Sequence, residues 1–206
     1  MNTILEKLIA GNKKFQEQYY QVSSSIYQDL KRGQSPEVMV IACSDSRVDP
    51  AIIMGADPGD LFVVRNVANV VPPYQDDGGY HGTSAALEFA VNGLKVKHII
   101  ILGHTQCGGI TALVESHDSL LNSLDKKGNF ISKWMDIVEP ACELTHQESK
   151  VDSSLDQKVE LCSLHALLLS LKNLRSFPFV AEQIKAGQLS LHAWYFDLAD
   201  GGIKVV

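Results

Sequence analysis

Two cysteines and one histidine carry the chemistry of this 206-residue chain. Cys43 closes the apolar run VMVIACSDSRVDP, and His104 and Cys107 close a second run, HIIILGHTQCGG. Both runs are rich in β-branched residues and end in polar residues and glycine, which is how a buried parallel strand reads. Open α/β sheets place their sites at strand C-terminal ends. Cysteine and histidine are ligands suited to zinc, and three of them leave one tetrahedral position open, the pattern of a catalytic metal. Either motif alone carries little, since a cysteine ending a strand is usually a small hydrophobe and His-x-x-Cys is short. Together they converge. Cys107 also precedes Gly108-Gly109 at an expected helix N-terminus, where free N–H groups favour a thiolate. Cys142 and Cys162 fall in helical patterns and read as buried side chains.

Around the first cysteine the sequence is C-S-D-S-R. Asp45 and Arg47 alternate with Cys43, and in an extended turn such residues point the same way. A carboxylate there could accept a hydrogen bond from a metal-bound hydroxide or fill the open site itself. Arg47 could hold it by a two-pronged hydrogen bond and keep it ionised. The plain alternative is that Asp45 caps a turn and Arg47 is a surface cation.

The elements that must position these residues follow from pattern. Residues 2–20 have helical period, with Ile4, Leu5, Leu8, Ile9 and Phe15 on one broad face. A short segment near 23–32 follows, then GQSP as a breaker. Strands are expected near 38–43, 60–66, 98–103 and 189–198, with IKVV as a last strand that forms an antiparallel hairpin at one edge. VPPYQDDGGYHG reads as a loop, and Thr83 or Ser84 as the cap of the helix SAALEFAVNGL. Helices are expected from Gly108 to about 116, over 131–147 and 156–175, and after Pro178, with 118–130 as a loop or broken helix. Strands alternating with helices give an α/β fold: a mostly parallel central sheet of about five strands flanked by helices, with residues 1–33 as an N-terminal helical arm. With no repeat or linker, residues 1–206 are expected to form one domain.

Composition bounds the function. Hydrophobic residues are 45% and charged residues 20%, a globular balance. A net charge of −6 without a basic block argues against nucleic acid as a partner. No apolar run reaches the ~20 residues that span a bilayer, and the N-terminal segment lacks a signal-peptide core, so a cytoplasmic protein is expected, with no membrane partner. Four cysteines in that setting favour metal binding or burial over disulfides.

ACSDSRV, PGDLFVVRNVAN and GHTQCGG, in this order, resemble the β-class carbonic anhydrases over about residues 5–199. The resemblance implies one zinc per chain on Cys43, His104 and Cys107, and an Asp–Arg dyad at Asp45 and Arg47. It implies reversible hydration of carbon dioxide to bicarbonate and a proton, by attack of zinc-bound hydroxide. GQSPEVMVIACSDSRV and VVRNVANVVPPY look like the plant-type branch, whose zinc site is open. That implies substrate-pocket roles for Gln34, Phe62, Val67 and Gly108, and no strong regulatory bicarbonate site. The branch usually carries a tyrosine where this chain has Phe89, so that hydroxyl is absent. The family also implies a homodimer or higher homo-oligomer, with the N-terminal helix reaching across a partner and pocket residues at the interface.

Simpler readings stand beside these. Gln34 could cap the turn before Pro36, and Phe62 and Val67 could be core residues. His81 and His98 could relay protons or simply face solvent. Carbonyl sulfide and carbon disulfide are linear apolar alternatives to carbon dioxide. A structural zinc in a binding module would need a fourth cysteine or histidine near the cluster, and only Asp45 is at hand. A zinc nucleobase deaminase would need H-x-E and P-C-x-x-C, and both are missing.

Overall fold

The computed structural model describes residues 3–21, 25–118 and 130–206. Four β-branched, apolar segments form parallel strands: β1 (Val38–Cys43), β2 (Leu61–Asn66), β3 (His98–His104) and β4 (Ser190–Phe196). A fifth, β5 (Ile203–Val205), pairs antiparallel with β4 at one edge. The sheet order is β2-β1-β3-β4-β5, so β1 and β3 lie side by side in its middle. This is the α/β sheet expected, edge hairpin included.

Nine α-helices are present among the described residues: α1 (Ile4–Tyr19), α2 (Tyr27–Leu30), α3 (Pro50–Met54), α4 (Gly82–Glu88), α5 (Gly108–Asp118), α6 (Phe130–Met135), α7 (Glu139–Glu148), α8 (Leu155–Leu174) and α9 (Pro178–Lys185). Alternate residues of the central strands enter opposite cores. Val40, Ala42, Ile100 and Leu102 pack with Val114 of α5, Cys142 of α7 and Cys162 of α8. Met39, Ile41, Ile99 and Ile101 pack with Leu87 of α4, Val180 of α9 and Leu167 of α8. β1 and β3 are thereby buried on both faces, and their C-terminal residues are fixed in place.

Four details depart from the sequence reading. The helix expected over 131–147 is interrupted: α6 ends at Met135, a 3-10 turn covers Asp136–Val138, and α7 restarts with Pro140 in its first turn, where a missing N–H costs nothing. Thr83 and Ser84 cap no helix. α4 begins at Gly82 without a side-chain cap, and Thr83 Oγ1 instead accepts from Asn66 Nδ2 at 3.2 Å. α4 then continues into a π-helical turn, Phe89–Leu94. Finally, α3 was not anticipated, although Asp49 followed by Pro50 is a helix start: Asp49 Oδ1 accepts from the backbone of Ala51 and Ile52. α5 extends to Asp118, and the rest of the expected 118–130 loop lies outside the described residues, as do 22–24 of the short segment near 23–32.

Candidate metal centre

β1 and β3 run side by side and parallel, so their last residues meet. Cys43 ends β1 and His104 ends β3. The chain then reverses through Gln106, a non-glycine residue at φ 55°, which brings Cys107 back to the strand ends just before α5. A left-handed backbone there costs on the order of 1–3 kcal/mol, a strain commonly found at functional sites. The ligand atoms of Cys43, His104 and Cys107 all lie within 4.8 Å of one another, and all three residues are buried.

The donor set fits zinc on three observations. The two sulfurs are 3.9 Å apart, close to the roughly 3.8 Å that tetrahedral Zn–S bonds of about 2.3 Å require. His104 Nδ1 donates to the Thr105 carbonyl at 2.8 Å, which fixes the tautomer and leaves the lone pair on Nε2. That Nε2 is buried and has no hydrogen-bond partner, an orphaned acceptor that a metal satisfies. One of the two thiols is also primed for ionisation. Cys43 is drawn well below the usual thiol range, first by its hydrogen bond with Cys107, then by His104 and the Asp45 backbone N–H, against the opposing effect of burial. Cys107 is pushed up by the same hydrogen bond, by burial and by the Cys43 charge, while the N–H groups of Gly109 and Ile110 pull it down. The two shifts oppose each other across one hydrogen bond, favouring the thiolate on Cys43 and the thiol on Cys107, and a cation held by both sulfurs would displace the remaining thiol proton.

Asp45 and Arg47 form a two-pronged pair beside the cluster. Arg47 Nε donates to Asp45 Oδ1 at 2.9 Å and Nη2 to Oδ2 at 2.7 Å, and the Arg47 backbone N–H adds a third bond to Oδ1 at 2.9 Å. These donors hold the Asp45 carboxyl far below the usual carboxylate range, the Arg47 side chain first among them. Arg47 Nη2 also reaches the Gln106 carbonyl at 3.1 Å, joining the two ligand loops.

One residue here escaped the sequence reading. Arg65 of β2 donates from Nε to the Cys43 carbonyl at 2.9 Å and from Nη2 to the Asp45 carbonyl at 2.6 Å. Its Nη1 pairs with Asp49 Oδ2 at 3.3 Å. A lone arginine in a strand pattern looks like a solvated edge residue. The available signal is that it interrupts an otherwise apolar strand one residue short of the position opposite Cys43.

The remaining candidates divide. Gly108 is exposed at the first turn of α5, next to Cys107, with open space where a Cβ would stand. Val67 follows β2 directly and lies against Gly109, whose Cβ would meet Val67 Cγ1 at 3.1 Å. Phe62 and Gln34 are not brought to the cluster. Phe62 pairs in register with Met39, four residues before Cys43, so it lies about 13 Å back along the sheet. Its ring instead meets Phe89, the residue at the tyrosine position, at 5.8 Å. Gln34 is exposed. His98 opens β3 while His104 closes it, about 20 Å away, and hydrogen-bonds His192 at 3.2 Å. His81 pairs with Asp77 at 2.6 Å on a cavity of about 750 Å³ whose wall includes Asn66, Val67 and Trp134.

A buried Cys-His-Cys group at the ends of central parallel strands is a known arrangement. A family model described as carbonic anhydrase matches residues 38–203. The chain belongs to the carbonic anhydrase family. Its relatives place this carbonic anhydrase in the β class. It is 36% identical over 197 residues to the β carbonic anhydrase 3 of Arabidopsis thaliana, covering 96% of this chain and 74% of that one. It is 34% identical over 204 residues to a carbonic anhydrase of Synechocystis sp., covering 97% and 70%. Among solved structures, the β-carbonic anhydrase CcaA superposes with a TM-score of 0.88 at 33% identity, covering 98% of this chain and 95% of that one. A tetrameric β-carbonic anhydrase of Sordaria macrospora superposes at 0.83 with 30% identity, covering 100% and 98%. This β-carbonic anhydrase is thus a zinc lyase of the reversible carbon dioxide hydration reaction.

Proposed function

We propose that Cys43, His104 and Cys107 hold the zinc, and that Asp45, Arg47, Gly108, Val67, Phe62 and Gln34 perform the hydration of carbon dioxide around it. The observation that carries this reading is the partnerless His104 Nε2 facing two sulfurs 3.9 Å apart, with an ionised carboxylate two residues beyond one of them. Zinc supplies Lewis acidity, which makes water a nucleophile near neutral pH.

The chain's own groups do the rest. Asp45, kept ionised by Arg47, accepts a hydrogen bond from the attacking oxygen and turns a lone pair toward carbon dioxide. An uncharged linear substrate suits the apolar surface of Val67, and the bare backbone of Gly108 leaves room beside the ligands. Phe62 and Gln34 complete the pocket from a second copy, since one chain keeps them away from its own cluster. Both Asp45 oxygens are bound by Arg47 and so turned away from the metal position, which supports the open, plant-type arrangement. A homodimer or larger homo-oligomer follows, and the exposed apolar face of α1 supports it. A cytoplasmic, reducing setting suits four cysteines that form no disulfide.

The test is elemental analysis paired with stopped-flow hydration. The wild type is expected to hold about one zinc per chain, and Cys43→Ala to lose most of it along with the activity. Full zinc retention in Cys43→Ala sinks the ligand assignment.

A further inference from the structure

The turn that bears Asp45 has no regular secondary structure to hold it. It leaves β1 at Cys43 and enters α3 at Pro50, and residues 44–49 belong to neither element. Yet two contacts meet at the single residue Asp45. Its carboxylate meets Arg47, and its carbonyl is gripped from outside the turn.

Arg65 supplies that grip. Its guanidinium spans the Cys43 and Asp45 carbonyls, which lie on either side of Ser44, at 2.9 and 2.6 Å. Its third nitrogen reaches Asp49 Oδ2 at 3.3 Å, and Asp49 Oδ1 in turn caps α3. The Asp45 carbonyl also accepts from the Val48 N–H at 3.1 Å. Arg65 is itself anchored in β2, next to the Asn66 that pairs with Cys43 and whose carbonyl accepts from Ser44 N–H at 2.8 Å. Only a planar fork with several fixed donors reaches all these acceptors at once, and a lysine offers one point of attachment.

We propose that Arg65 is a positioning residue for the reaction: by clamping both ends of the Cys43–Asp45 segment, it holds the Asp45 carboxylate toward Arg47 and away from the fourth metal position. This rests on the open-site reading above. Without the clamp the segment gains freedom, and a carboxylate two residues from a ligand is within reach of the metal, for which it is a good donor.

The experiment uses the cobalt-loaded protein, whose visible spectrum reports the metal's ligands, with sodium azide as probe of an open fourth position. In the wild type azide is expected to shift the spectrum. Arg65→Ala is expected to keep about one metal per chain and its helical circular dichroism, yet to lose the azide response. Its carbon dioxide hydration kcat/KM is expected to fall about 10- to 100-fold, the usual cost of losing a group that orients a metal site from outside. Adding Asp45→Asn to Arg65→Ala is expected to restore the azide response, because no carboxylate remains to take the position. Arg65→Lys should lie between wild type and Arg65→Ala on both readouts, and it decides the matter if Arg65→Ala does not fold.

An unchanged azide response with kcat/KM within about twofold of wild type overturns the proposal. Loss of metal from a folded Arg65→Ala overturns it too, since Arg65 then supports Cys43 and not Asp45. A wild type that ignores azide defeats the open-site reading itself, which separates that failure from this one.

Discussion

At the scale of residues, the roles of Asp45 and Tyr195 can be tested by single-atom changes. Asp45→Asn keeps size and a hydrogen-bonding group but loses the charge that Arg47 stabilises, and its amide donors compete with the proton of the attacking oxygen. Zinc content is expected to stay at wild-type level while hydration near neutral pH slows by about 100-fold, a typical contribution of a positioned proton acceptor. A rate within about twofold of wild type rules out the role. Burial pushes the Tyr195 hydroxyl up to about 12, with Ser163 offsetting part of the effect. A phenol that stays protonated in the fold but ionises in the unfolded chain stabilises the fold fully below its unfolded pKa of about 10. That stability is lost as pH rises from there to about 12. Tyr195→Phe should therefore show a smaller fall in urea midpoint between pH 9 and 11.5 than wild type, and equal falls refute the assignment. The metal ligands were legible in the sequence because Cys43 and His104 each close a strand whose burial pattern is strong, and Cys107 follows the second strand within three residues. Arg65 was not, because its role lies in contacts to backbone carbonyls of a neighbouring strand, which leave no periodic trace.

At the scale of elements, the start of α5 offers a matched pair of substitutions. A Cβ on Gly109 would meet Val67 Cγ1 at 3.1 Å and Ala68 Cβ at 3.3 Å, so Gly109→Ala must push the Val67 turn away from the helix. Overpacking of that kind costs about 1–3 kcal/mol, and the thermal midpoint should fall accordingly. One residue earlier, a Cβ meets nothing within 4 Å, so Gly108→Ala should leave the midpoint unchanged or slightly higher. It should instead raise KM for carbon dioxide, because the methyl enters the space beside Cys107. Equal thermal losses in the two variants contradict this account. The same contrast explains what was readable among the elements. β1 and β3 are specified by long apolar runs, and their ends fall within one residue of expectation. The α6–α7 break was missed because the helical pattern of residues 131–147 continues across it, and Pro140 is equally at home inside a kinked helix or at a new N-terminus. The expected cap at Thr83 or Ser84 failed because Thr83 is engaged by Asn66, a contact 17 residues distant in sequence.

At the scale of the whole molecule, two features of the single chain bear on the proposed assembly. α1 buries none of its residues, and Ile4, Leu5, Leu8 and Ile9 stand 63–67% exposed along one face. Its far end is tied down by aromatic contacts, Phe15 and Tyr20 each against Tyr27 at 5.5 and 5.0 Å, so the apolar half projects from a fixed base. Burying each of those side chains is worth roughly 1.5–3 kcal/mol, which favours association. The second is that Phe62 and Gln34, proposed as pocket residues, lie away from the metal cluster of their own chain. The proposed assembly answers both: in it, copies pair so that each α1 is covered and each cluster receives pocket residues from its neighbour. No sequence pattern displays this, because periodicity records which face is apolar and not which chain covers it. Light scattering at micromolar concentration is expected to give at least a dimer. The double substitution Leu5→Glu and Leu8→Glu should shift it toward monomer and lower hydration several-fold, with zinc content unchanged, because the ligands all come from one chain. A wild type that is monomeric and fully active would show that a single chain builds its own pocket, and the assignment of Phe62 and Gln34 to a neighbouring site would fall with it.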